Sequence, residues 1–151
     1  MPSEMICVTV ANQQRHVRLD REWLRRIVRA VLTGERIQDA EISLAFVDDR
    51  AIHRINQQFL NHDEATDVIS FPLSGPEVQP LEGELVVSAE TAKRVARRLG
   101  HKVQHELALY VIHGLLHLCG YDDLILQNRR QMRKREKHYV AEFRLQLADR
   151  R

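Results

Sequence analysis

Apolar and polar positions alternate with two different periods along this chain, and the period changes mark its elements. Met5 to Ala11 alternates β-branched and polar residues and predicts a strand. Asp20 is a good N-cap, and Trp23, Leu24, Ile27, Val28, Val31 and Leu32 follow at helical spacing. The opposite face of that helix carries Arg21, Arg25, Arg26 and Arg29. Glu41 to Val47 predicts a second strand. Asp48 or Asp49 can cap a short helix that buries Ile52, Ile55 and Phe59. Asn61 to Ala65 is a polar loop. Thr66 to Leu73 predicts a third strand, closed by Pro72 and so expected at a sheet edge. Ser74 to Pro80 holds a glycine and two prolines and predicts a mobile loop. Leu81 to Val87 is a fourth strand, and Ser88 caps a helix running to Leu99 and stopped by Gly100. Glu106 to Leu118 is a mostly apolar, proline-free helix. A long helix follows from about Leu124 to Leu147.

Four strands and about five helices in mixed order predict one α+β domain over residues 1–151, a small mixed four-stranded sheet packed against the helices. The length suits one domain with a real core rather than two. Hydrophobic residues at 44% and charged residues at 29% are ordinary for a globular protein.

The net charge of +2 says little about partners, but its distribution says more. From Asn128 to Arg151 there are nine Lys or Arg and three Asp or Glu, and from Ala92 to Lys102 five Lys or Arg and no acid. Such segments can track a phosphate backbone or simply solvate a helix face. Cys7 and Cys119, the only cysteines, lie far apart and make no disulfide framework; Cys119 reads as a small buried hydrophobe. No signal peptide and no apolar run long enough to span a membrane is evident. The expected location is the cytoplasm.

The chemistry concentrates in H-G-L-L-H-L-C-G-Y-D-D, His113 to Asp123. His113 and His117, four apart on a helix, place two imidazoles on one face one turn apart. Gly120 ends that helix, and the turn beyond brings Asp123 forward six residues after His117. Two imidazoles and a carboxylate make a three-ligand site with a fourth position open, the catalytic arrangement for zinc. Asp122 competes with Asp123 for the third place. The spacing also resembles the zinc-protease motif H-E-x-x-H-x-x-G-x-x-H. Gly114, however, stands where that motif places its general base, so peptide hydrolysis lacks a proton acceptor.

His113, Gly114, Leu116, His117, Leu118, Gly120, Tyr121 and Asp122 resemble the signature H-G-x-L-H-L-x-G-Y-D-H of the YbeY family of rRNA-maturation endoribonucleases. Thr66 to Pro72 resembles that family's T-D-V-L-S-F-P, and Gly83-Glu84-Leu85 its G-D-I strand. The blocks agree in order and spacing from about Glu41 to Met132. Two positions depart: Asp123 stands where the family has a third histidine, and Leu60 where many members carry an arginine thought to help catalysis.

The resemblance implies a zinc-dependent, single-strand-specific endoribonuclease that matures small-subunit ribosomal RNA and acts in ribosome quality control. It implies one zinc per chain on His113, His117 and Asp123. The expected partners are single-stranded RNA, rRNA and the small ribosomal subunit, with no membrane and no obligate protein partner. Asp123 in place of histidine adds a negative charge and makes the metal a weaker Lewis acid. The general base is not evident. His62, Asp63 and Asp67 could approach the metal, with Asp67 expected to bond backbone or orient a ligand. Arg54 or Arg94 could cover for Leu60. Because the resemblance places the helix after the fourth strand near the groove, Arg94, Arg97 and Arg98 are candidate RNA contacts. Met132 reads as a core methionine. A metalloprotease-like hydrolase and a non-catalytic ribosome-binding factor are the alternatives.

Overall fold

The computed structural model describes residues 5–62, 64 and 66–149. Its elements run β1 (Met5–Asn12), α1 (Arg21–Gly34), β2 (Asp39–Val47), α2 (Asp49–Leu60), β3 (Val68–Pro72), β4 (Leu81–Ser88), α3 (Ala89–Leu99), α4 (Val103–Leu118) and α5 (Leu126–Glu142). The expected α+β architecture is therefore observed: five helices around one four-stranded mixed sheet. The strand order is β1-β2-β4-β3. The β1–β2 and β2–β4 pairs are parallel and β3–β4 is antiparallel. β3 sits at the edge, as Pro72 requires of a residue with no N–H to give the ladder.

Strand alternation decides which sheet face is buried. Ile6 and Val8 of β1, Ala40, Ile42, Leu44 and Phe46 of β2, and Leu81, Leu85 and Val87 of β4 point into the main core with α1 and α4. The opposite face carries a smaller cluster in which Ile52 of α2 packs on Val47, Ile69 and Val86. α4 is apolar over most of its circumference and is correspondingly buried: Leu107, Ala108, Val111, Ile112, Leu115 and Leu116 are fully covered. Two glycines let this helix lie close on the sheet. A Cβ on Gly114 would stand 2.8 Å from Leu85 Cδ2, and one on Gly83 would stand 2.7 Å from Leu118 Cδ1.

Several boundaries differ from the periodicity. β3 begins at Val68 because Asp67 folds its own carboxylate onto the Val68 N–H at 2.8 Å, which spends Asp67 on the bend. α2 takes its cap from Asp48, whose Oδ1 accepts from the Ala51 N–H at 2.8 Å. Phe59 is exposed rather than buried, and Asn56 takes the inward place, donating to the Glu64 carbonyl at 2.9 Å. α4 starts earlier than expected, at Val103. α5 begins at Leu126 and ends at Glu142, short of Leu147, because Arg144 turns left-handed at φ 53°. The tail then attaches to α4's entry: the Gln146 and Ala148 N–H groups each donate at 3.0 Å, to His105 Nδ1 and His101 Nδ1. Met132 is buried in the main core and both cysteines are free. No helix among the described residues is long and apolar enough to cross a membrane.

Candidate metal centre and its cleft

α4 ends in a glycine turn, and that turn builds the site. Gly120 has φ 104°, which lets the Tyr121 N–H reach the Leu116 carbonyl at 3.0 Å and the Gly120 N–H reach His117 at 3.0 Å. The chain reverses, and Asp123 comes back toward the helix. The ligand atoms of His113, His117 and Asp123 all lie within 4.8 Å of one another. Asp122 is used elsewhere: its carboxylate accepts from the Leu124 N–H at 3.1 Å and from Asn128 Nδ2 at 3.1 Å, closing the turn into α5.

The two imidazoles face each other through Nε2 at 3.2 Å, with ring planes 78° apart. Each ring is held from behind by a group outside α4. His113 Nδ1 lies 2.9 Å from Glu136 Oε2 on α5, and His117 Nδ1 lies 3.1 Å from the Tyr121 carbonyl oxygen. A carbonyl and an ionised carboxylate only accept, so each Nδ1 must carry the proton. Both Nε2 lone pairs of the neutral rings then converge on one point. That arrangement is repulsive unless a cation or a proton lies between them. Two zinc–nitrogen bonds of about 2.0–2.1 Å at a tetrahedral angle hold their nitrogens about 3.3 Å apart, close to the observed separation. The residues present therefore fit a metal bound by two imidazoles and a carboxylate, with the ring-orienting partners that such ligands require.

The electrostatics agree. Burial alone would lower the His113 pKa. The hydrogen bond and charge of Glu136, aided by the Asp67 and Asp123 charges, outweigh it and raise the pKa above the ordinary histidine value. Burial and then the neighbouring His113 charge lower His117. With no metal, the pair thus takes up one proton readily and a second with difficulty.

The imidazoles open onto a cleft of about 560 Å³ between the end of α2, β3 and α4. Leu60, His62, Glu64, Asp67 and Ser70 line it together with His113 and His117. His62 and Asp67 are thus brought to the same cleft as the histidines. Asp63 lies outside the described residues. Asp67 makes the expected backbone bond. Leu60, the position noted as a departure from the family pattern, is part of the cleft wall. Gly114 faces the sheet, between Leu85 and Ser70, so a side chain there has no room. The arginines of α3 are not among the lining residues. Arg94 is paired instead with Asp49 at 2.6 Å, within a cluster that also ties the Ser88 and Thr91 hydroxyls to Asp49. Asp49 and Leu60 begin and end α2, so Arg94 is anchored about 16 Å from the cleft end of that helix. Arg54 does not line the cleft either.

Sequence reasoning missed Glu136, and it missed Glu35. Glu35 caps the end of α1 and gathers the surroundings of the site. It accepts from Tyr121 Oη at 2.7 Å, from Arg135 Nε at 3.0 Å and Nη2 at 2.6 Å, and from Tyr139. Burial would raise its pKa, but these hydrogen bonds, with the Arg135 charge, hold it below the usual carboxylate range. A signal for Glu136 existed, since it is the lone acid in the basic run Arg129 to Lys137.

Fold and site together define a class: an α+β protein with two imidazoles and a carboxylate that could hold a metal ion beside an open cleft. The family model described as endoribonuclease YbeY matches residues 9–144. The endoribonuclease YbeY of Pelotomaculum thermopropionicum is 38% identical over 148 residues, 91% of this chain and 97% of its own length. That of Nautilia profundicola is 42% identical over 109 residues, 72% of this chain and 76% of its own. A Thermotoga maritima protein solved in solution is similar in fold at a TM-score of 0.66 and 30% identity, covering 93% of this chain and 92% of that one. The chain belongs to the endoribonuclease YbeY family.

Proposed function

We propose that this chain is a zinc-dependent endoribonuclease that cuts single-stranded RNA in the maturation and quality control of the small ribosomal subunit, acting in the cytoplasm. The observation that carries the reading is the pair of Nε2 lone pairs converging at 3.2 Å, each ring fixed from behind, beside Asp123. Family membership supplies the substrate class. His113, His117 and Asp123 would hold one ion. When bound, it supplies Lewis-acid polarisation of a phosphate oxygen and acidifies water. Glu136 and the Tyr121 carbonyl keep both rings in the donating tautomer. His62 and Asp67, on the cleft wall, are the candidates for moving a proton, and His62 is the freer of the two because Asp67 already binds the Val68 N–H. Of the α3 arginines proposed from the sequence as RNA contacts, Arg94 is held by Asp49, and neither Arg97 nor Arg98 lines the cleft.

The test uses one preparation for metal analysis and for cleavage of single-stranded RNA, duplex RNA and casein. The parent should hold close to one zinc and cut only the single strand, and a chelator should stop it. His113→Ala and His117→Ala should lose both metal and cleavage. Asp123→Ala should weaken metal binding, and Asp122→Ala should not. Parental metal content and RNA cleavage in the double histidine variant would overturn the proposal. Cleavage of casein without RNA would overturn the nuclease reading alone.

A further inference from the structure

The cleft beside the metal donors has a wall that repels a polyanion. Among its described lining residues there is no Lys or Arg, while Glu64 and Asp67 are both present. Apart from the phosphate that meets the metal, the phosphates of a strand crossing the site must therefore be neutralised from outside the cleft. α5 is the basic element joined directly to the donors, through the contact of Glu136 with His113.

The arrangement of α5 is specific. Arg129, Arg130, Arg133, Lys134 and Lys137 are exposed. Among the described residues, none of these five forms an ion pair, whereas Arg135 is taken by Glu35 and Arg94 of α3 by Asp49. At 100° per residue, Arg129 and Arg133 lie only about 20° and 60° around the helix from Glu136. Both fall on the side away from Arg135, and so away from the contact with α1. At about 1.5 Å per residue they sit roughly 10 Å and 4.5 Å before Glu136, toward the turn that carries Asp123. Helix geometry thus puts both residues on the stretch of α5 between the Asp123 turn and Glu136, exposed and outside the ion pairs formed among the described residues.

We infer that Arg129 and Arg133 of α5 form the phosphate-binding rail for single-stranded RNA at this centre. The strand would lie with one side toward the cleft and its backbone along α5, rather than along α3. This deepens the nuclease reading and rests on it. Guanidinium is suited to the task because its donors fit phosphate oxygens in pairs.

The experiment is a salt titration of binding, read by anisotropy of a labelled single-stranded RNA bearing 2′-O-methyl groups, with the zinc-loaded protein. Each single-strand phosphate contact contributes a slope of about 0.7 in log affinity against log salt. Arg129→Gln with Arg133→Gln should flatten the slope by about 1.4 and weaken binding about 25-fold at 0.1 M salt. Zinc content should not change. Lysine at both positions should restore most of the slope, and Arg97→Gln with Arg98→Gln should leave it near the parent's. Parental affinity and slope in the α5 double variant would overturn the rail, as would a larger loss from the α3 pair or a loss of zinc in the α5 variant. A parent that binds no RNA at all would overturn the nuclease reading along with it.

Discussion

Glu136→Gln should weaken zinc binding without unfolding the protein, and the loss should depend on pH. The glutamate accepts from His113 Nδ1 at 2.9 Å and keeps the Nε2 lone pair aimed at the site. Glutamine keeps an oxygen acceptor of the same reach but removes the charge that makes the ring basic. Removing such an orienting partner typically lowers metal affinity about 10- to 100-fold, equivalent to about 1.4–2.8 kcal/mol. The pH dependence follows from proton competition. Zinc needs neutral His113, and Glu136 is the main group that raises its pKa against burial. Below that pKa, each pH unit costs about tenfold in affinity for a ligand that must lose one proton. In the variant the pKa falls, so competition begins at lower pH. The affinity gap between parent and variant should therefore be widest near pH 8 and narrow as pH falls through the parent's raised value. Competition against a chromophoric zinc chelator at several pH values measures this, with circular dichroism to check the fold. Equal affinities at all pH values would show that Glu136 neither orients nor tunes His113, and a gap that widens in acid would refute the proton argument.

Gly114→Ala should destabilise the fold by about 1–3 kcal/mol, because its Cβ would meet the fully buried Leu85 at 2.8 Å in a core with little slack. Denaturant midpoints for this variant, and for the same change with Leu85→Ala, check it; a cost that persists in full beside the truncated leucine would show that the clash is not the cause. Glu35→Gln should cost about 1–3 kcal/mol, since the carboxylate accepts several hydrogen bonds with its side chain only 7% exposed. Because folding lowers the Glu35 pKa, its stabilisation is present above the unfolded value near 4.5 and is lost as pH falls through the folded one. The stability gap between parent and variant should therefore close in acid, and a gap independent of pH would refute the assignment.

What was legible in the sequence was what is local. The four-residue spacing of His113 and His117, the stop at Gly120 and the six-residue reach to Asp123 depend on helix geometry and one turn type, so residue order alone was enough. The sheet edge at Pro72 was legible because proline lacks a donor. The register was not, because β1, β2 and β4 are brought together in parallel by long connections whose lengths carry no register signal. Contacts across the fold were also hidden. Glu136 is 23 residues from His113, and Asp49 is 45 from Arg94. The sequence presents Arg94 as one of several similar cations on a helix, and only packing reveals that Asp49 has already taken it. Phe59 was expected inside on periodicity alone. The Asn56 amide, hydrogen-bonded to Glu64, takes the buried place instead.

The same locality explains how the site is held. α4 brings the two imidazoles to one face, but a helix alone leaves their tautomers and ring angles free. Those are set by the Tyr121 carbonyl and by Glu136, one from the glycine turn and one from the next helix. Tyr121 is tied to α4 only through its N–H on the Leu116 carbonyl, and Glu136 is placed from α5. Glu35 supplies the missing link: by binding Tyr121 on one side and Arg135 on the other, it fixes the turn and α5 against the end of α1. Arg135 precedes Glu136, so the bond that anchors α5 also sets the axial position of the residue that orients His113. Asp123 enters from the same turn. The donors thus converge because α1, the turn and α5 are tied through one buried carboxylate, and α4 contributes rings that the other elements aim.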